Sequence, residues 1–219
     1  MAQRPLVIAF DVIGTLFPLV PMRARLVQAG QQPAVLELWF ARILRDAFAL
    51  NAAGDYRTFA EVAASELASV TNGALADADV EGILAGFREL QPHADAEPAL
   101  RAVRDAGVRA VTLTNGSAAN TEALLQRGLE AYVERAVSVD EVRVWKPAPQ
   151  PYLHAAAGCG VQPAQMALVA AHSWDIHGAR RAGLTTGWVS RLEGQPPAVF
   201  DRADVSGPDL VTVVSALLD

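Results

Sequence analysis

Asp11 ends an apolar run, Leu6-Val7-Ile8-Ala9-Phe10, and Gly14 and Thr15 follow closely. A carboxylate held at a strand end by a tight turn has two uses. It can cap a following helix, or it can serve as a nucleophile or metal ligand. Thr114-Asn115-Gly116-Ser117 combines a hydroxyl, an amide and a glycine-assisted turn of backbone N–H groups. Such a turn is either anion-binding chemistry or an ordinary helix start. Lys146 lies in the loop Trp145-Lys146-Pro147, where the proline favours extended backbone at the lysine. On the surface that lysine would do nothing; beside a carboxylate it would lower the carboxyl pKa and keep it ionised. Asp175 is a cap or an acid that orients Lys146 or a water. His172, three residues earlier, is a structural histidine or a base for neutral pH. Acid, hydroxyl-amide turn, lysine and second acid come in that order, each beyond an apolar run. The joint pattern is far rarer by chance than any one part.

The elements that must hold these groups are strands and helices in alternation. Besides the first run, Val108–Leu113 leads into Thr114, Met166–Ala171 leads into His172, and Thr185–Ser190 follows an alanine-rich helical stretch ending at Gly183. Nearly continuous apolar strands suit a parallel sheet covered on both faces. Helical segments at Ala96–Ala106, Asn120–Arg127 and near Pro151–Gly158 separate them, the first two closed by glycines. The expected fold is a doubly wound, mostly parallel, Rossmann-like α/β sheet, with its ligand at the carboxyl ends of the strands. Asp11, Thr114, Asn115, His172 and Asp175 all fall there. Residues 18–93 carry helical spacing instead, as in Val35-Leu36-Leu38-Trp39-Arg42-Ile43 and Phe59-Val62-Ala63-Leu67. We read residues 1–17 and 94–219 as the core and 18–93 as an inserted helical cap; more helices on one face of the sheet is the alternative.

Composition narrows the function classes. The 219 residues are 52% hydrophobic and 19% charged, enough apolar material for a buried core. Eighteen Lys and Arg against 24 Asp and Glu leave a net charge of −6, which argues against a nucleic-acid surface. Cys159 is the only cysteine, so neither an intrachain disulfide nor a thiolate metal cage is available. No apolar run approaches the ~20 residues of a membrane span, and the start of the chain reads as a short polar lead without signal-peptide features. The expectation is a soluble cytoplasmic protein.

Together these residues resemble the haloacid dehalogenase-like hydrolase superfamily. The likeness rests on Phe10-Asp11-Val12-Ile13-Gly14-Thr15-Leu16, Leu113-Thr114-Asn115-Gly116, Lys146-Pro147, and Ser173-Trp174-Asp175 with Gly178-Ala179-Arg180 behind it. Phosphatases of the superfamily carry a second Asp two residues after the nucleophile; here that position is Ile13. Isoleucine cannot protonate an alkoxide, whereas halide leaves without a proton. The chain is therefore similar to the type II L-2-haloacid dehalogenases, a likeness strengthened by Leu38-Trp39, Phe59, Tyr152 and Trp174-Asp175. The resemblance implies attack of Asp11 on C2 of a 2-haloalkanoate, an aspartyl ester, and hydrolysis to a 2-hydroxy acid without metal or cofactor. It gives Lys146 the task of keeping Asp11 anionic, with Thr15, Tyr152 and Asp175 around it. Thr114 and Asn115 would hold the substrate carboxylate or the halide. Ile13, Leu44, Phe59 and Trp174 would form an apolar wall, Phe40 and Tyr152 would also face the substrate, and a homodimer is implied.

Four positions depart from that pattern. The family's halide-binding arginine is Phe40, the tyrosine two after the nucleophile is Ile13, a serine is Ala170, and an asparagine is His172. Arg42 would point about 200° from position 40 on a helix. The halide would then rest against Asn115 N–H and the ring edges of Phe40 and Trp174, and His172 becomes a candidate activator of the hydrolytic water. A Mg²⁺-dependent phosphatase and a non-catalytic binding protein are the other readings.

Overall fold

The computed structural model describes residues 4–219, so Met1–Gln3 of the polar lead lie outside the described residues. Its strands are β1 (Val7–Phe10), β2 (Arg109–Thr114), β3 (Arg135–Ser138), β4 (Met166–Ala170), β5 (Thr185–Val189) and β6 (Val205–Gly207). They pair in the order β3-β2-β1-β4-β5-β6, every pair parallel. The order reverses at β1, so the chain leaves the sheet at the switch point where doubly wound folds open a crevice. β1 and β4 are buried along their whole length, as central strands covered on both faces must be. Ile8 and Phe10 face one core layer while Val7 and Ala9 face the other.

The helices are α1 (Met22–Gln28), α2 (Val35–Ala53), α3 (Phe59–Val70), α4 (Asp77–Ala85), α5 (Ala96–Asp105), α6 (Ala118–Leu125), α7 (Pro149–Gly158), α8 (Ser173–Arg181) and α9 (Leu210–Leu218). Buried residues of α5 and α9 pack in one layer and those of α7 and α8 in the other. β3 and β6 carry no legible apolar run in the sequence. Each is a short outer strand, ordered by pairing rather than by its own composition.

From α1 to α4, and through a 3-10 turn at Gly86–Arg88, the segment between β1 and α5 is helical. The first helix of the expected pair runs on to Ala53 and stops where Gly54 adopts φ 73°. Thr58 and Glu61 then start α3 with a reciprocal capping box. The Leu38-Trp39 pair divides: Leu38 is exposed, and Trp39 is fully buried with its indole N–H donating to Ala63 O at 2.9 Å. One side chain thus supplies both apolar area and a hydrogen bond between α2 and α3. Trp39→Ala is expected to cost about 3–5 kcal/mol, read as a lower urea midpoint at unchanged slope.

Candidate active site

Asp11 stands directly beyond β1, its backbone N–H donating to Val169 O of β4. The side chain is surrounded by donors. Lys146 Nζ donates to Oδ1 at 2.9 Å, Thr15 Oγ1 donates to Oδ2 at 2.8 Å, and His172 Nδ1 lies 3.1 Å from Oδ2. Thr15 is itself oriented by Ala171 N–H at 2.9 Å.

Lys146 is 0% exposed. Its three N–H bonds go to Asp11, to Leu113 O at 2.8 Å and to Asp175 Oδ2 at 2.6 Å. The other oxygen of Asp175 accepts Tyr152 O–H at 2.6 Å. An ammonium with every proton bonded, between two carboxylates, is the arrangement that makes a buried charge tolerable. The surface alternative for Lys146 is excluded.

The ionisation states follow. Burial alone would raise the Asp11 carboxyl, but the Lys146 charge and the His172 contact outweigh it, leaving Asp11 well below the ordinary 3.8. Burial would depress Lys146, yet the charges of Asp11 and Asp175 raise it above its usual value. Asp175 is raised, first by burial and then by the Asp11 charge, with Lys146 opposing. Burial, with the charge of Asp175, pushes Tyr152 well above the phenol range, so it remains a donor.

The lysine loop is gripped from both sides. Asn115 accepts Lys146 N–H at 2.9 Å, and Asn51 of α2 accepts Trp145 N–H at 3.0 Å while donating to Trp145 O at 2.7 Å. Trp145 indole N–H donates to Arg57 O at 2.9 Å, tying the loop again to the helical segment. On the far side α8 approaches so closely that a Cβ at Gly178 would lie 2.6 Å from Pro147 O and 2.7 Å from the Tyr152 hydroxyl. Only glycine permits that approach.

Asp11 opens onto a small cavity with about 40 Å³ of room for the centres of water-sized groups. Ile13, Phe40, Leu44, Phe59 and Trp174 line it, together with Thr114, Asn115 and His172. Aromatic rings form much of the wall: His172 lies 5.2 Å from Trp174 and 6.1 Å from Phe40, and Phe59 meets Phe87 edge-on at 5.1 Å, all between ring centroids. Several expectations need correction. Tyr152 does not line the cavity but sits behind Asp175. The Asn115 amide is turned to the Lys146 peptide rather than into the cavity. The Thr114 hydroxyl accepts Gly116 N–H at 2.9 Å and keeps its own proton free to donate on the cavity wall. Arg42 points away from the cavity to Ser69, in keeping with its helical offset from position 40. Phe87, Asn120 and Thr121 also line it and went unread. Asn120 follows the Ser117 cap closely and could have been suspected; Phe87 carried no chemical signal.

A family model described as haloacid dehalogenase-like hydrolase matches residues 6–183. The chain belongs to that family. Haloacetate dehalogenase H-2 of Moraxella sp. strain B is 30% identical over 191 residues, covering 84% of this chain and 85% of that one. (S)-2-haloacid dehalogenase 1 of Pseudomonas sp. strain CBS-3 is 29% identical, covering 84% and 83%. The fold matches that of the Xanthobacter autotrophicus L-2-haloacid dehalogenase with chloropropionic acid covalently bound, with TM-score 0.90 at 21% identity over 97% and 98% of the two chains.

Lys146 is the member of this family site whose removal is most informative. Lys146→Met leaves two buried carboxylates without a neutralising charge and is expected to cost about 3–5 kcal/mol, measured by urea unfolding. Because Asp11 is depressed in the folded protein, its ionisation stabilises the fold above the ordinary 3.8 and this contribution is lost as pH falls through the folded value. In Lys146→Met the Asp11 carboxyl should move upward, so an acid unfolding limb shifted to higher pH is expected.

Proposed function

We propose that the chain is a hydrolase of carbon–halogen bonds that converts short 2-haloalkanoates to 2-hydroxy acids through an ester on Asp11. One observation carries the reading: an ionised carboxylate, backed by a wholly buried lysine, faces a small and mostly apolar cavity with isoleucine at position 13. A desolvated carboxylate in such a cavity suits displacement at carbon. Halide departs as a stable anion, so the lack of an acid at position 13 does not slow it. The names of the curated relatives support this substrate class.

The donors around Asp11 divide its oxygens. Oδ2 accepts from Thr15 and faces His172 Nδ1, whereas Oδ1 has Lys146 as its side-chain donor. A carboxylate only accepts, so the imidazole nitrogen beside it carries the proton. Oδ1 keeps the spare lone pair and is the attacking atom. In the ester, Oδ2 is the carbonyl oxygen, held by Thr15 and His172 when water attacks Cγ and negative charge develops there. Collapse breaks the Cγ–Oδ1 bond, and the proton lost by the water passes to the departing oxygen, giving the 2-hydroxy acid and the Asp11 carboxylate. His172 thereby serves the hydrolytic half. We assign it as a donor to this oxygen, with activation of the water as the competing role. The helical segment acts as the cap that keeps the cavity dry.

The magnesium-dependent phosphatase reading fits less well. An isoleucine occupies position 13, and the Lys146 ammonium stands between Asp11 and Asp175, so a divalent cation shared by them would face a fixed positive charge. This donor set does not suit a hard divalent cation that requires several free oxygens.

Halide release from 2-chloropropionate, unchanged by EDTA and lost in Asp11→Asn, is the expected result. A single turnover in heavy-oxygen water should place the label in Asp11; label in the product alone would overturn the ester. His172→Ala should accumulate the Asp11 adduct by mass spectrometry. His172→Gln keeps a donor but no base: sustained turnover supports the donor role, and adduct build-up as in His172→Ala supports the base.

A further inference from the structure

The reaction cavity adjoins a larger hollow of about 370 Å³. Phe59, Phe87, Gly116 and Asn120 line both, so the two spaces share a wall and the hollow is placed to serve as a vestibule to the site. Arg88, at the end of the 3-10 turn, lines the vestibule and donates from Nε to Asn120 Oδ1 at 3.2 Å.

Accounting for polar groups makes this contact informative. The Lys146 ammonium is fully used, the Asn115 amide is turned to the lysine loop, and the Thr121 hydroxyl donates to Ser117 O. Deeper in the cavity the Thr114 hydroxyl accepts Gly116 N–H and keeps one proton to donate. Arginine can only donate. Asn120 must therefore turn its oxygen to Arg88, which leaves its NH₂ as an uncommitted donor on the cavity wall. Among the described residues Arg88 forms no ion pair, although it is exposed. The remaining charge in the vestibule is Asp140, which accepts a hydrogen bond from Tyr56 O–H. An anionic substrate must approach a site holding two carboxylates and one ammonium, so it needs a cation at the mouth.

We infer that Arg88 and Asn120 form the subsite that receives the substrate's carboxylate: Arg88 draws the anion into the vestibule and positions the Asn120 amide, which donates to it in the cavity. This rests on the proposed reading of the site as one for short haloacids. Asn120 touches substrate; Arg88 is a positioning residue acting through it and through its field.

The test pairs kinetics with binding of an unreactive carboxylate. For Arg88→Ala, KM for 2-chloropropionate should rise about tenfold or more, equivalent to ~1.4 kcal/mol, with kcat within about twofold. Arg88→Lys, which can still donate, should recover most of the loss. Asn120→Leu should give a similar rise, and the double variant little more than either single one, as for residues acting as a unit. Added salt should lower kcat/KM in the wild type and have much less effect in Arg88→Ala. Binding of 2-methylpropanoate, followed by tryptophan fluorescence, should weaken in parallel. An unchanged KM in Arg88→Ala, or additive effects in the double variant, overturns the subsite, as does failure of the wild type to bind 2-methylpropanoate. Carboxylate binding that depends on Arg88 in a protein releasing no halide would uphold the subsite and overturn the dehalogenase reading.

Discussion

The site depends on one buried ammonium. Among the described residues Lys146 is the cation set against two buried carboxylates, and each of its protons has an acceptor within 2.9 Å. Taking three charges out of water is costly, and mutual attraction offsets that cost only when the remaining hydrogen bonds are complete. They are complete here because Tyr152, Thr15 and Leu113 each supply a partner. The arrangement gives Asp11 an ionised carboxylate within an apolar cavity, a state that burial alone would not allow.

Much of the surrounding architecture serves to bring Lys146 to that place. The lysine is 135 residues from Asp11 in sequence, and no local preference could bridge that distance. The parallel sheet sets the carboxyl ends of β3, β2, β1 and β4 side by side, so the loops beyond them converge. The loop carrying Lys146 is then held by Asn115 on one side and Asn51 on the other. Asn51 lies on α2, which makes the helical segment a part of the scaffold for the core lysine as well as a wall of the cavity.

Within the cavity the chemistry is governed by the shortage of free polar groups. Thr114 and Asn115 have the residue types of an anion-binding turn, yet the Asn115 amide is taken by the lysine loop and Thr114 retains only its hydroxyl proton. Aromatic rings occupy much of the wall. A carboxylate facing such a surface is poorly solvated, and desolvation favours attack on carbon. The polar donors that remain are the Thr114 hydroxyl, His172 at Asp11 and Asn120 on the wall shared with the vestibule. In the proposed reaction His172 serves the ester oxygen and Asn120 the substrate's own charge.

The sequence by itself determined the central strands, because apolar runs such as Val7–Phe10 must be covered on both faces, and it determined that Asp11, Thr114, His172 and Asp175 lie at their carboxyl ends. It also determined the absence of an acid at position 13. β3 and β6 were not legible, since short outer strands take their order from pairing with a neighbour. Nor could the burial of Lys146, the withdrawal of Tyr152 behind Asp175, or the turning of the Asn120 amide be read in advance. Each depends on which donor meets which acceptor across long stretches of chain, and residue type states only what a group can bond to. Tertiary structure alone decided the partners, and with them which polar groups were spent and which were left free to act.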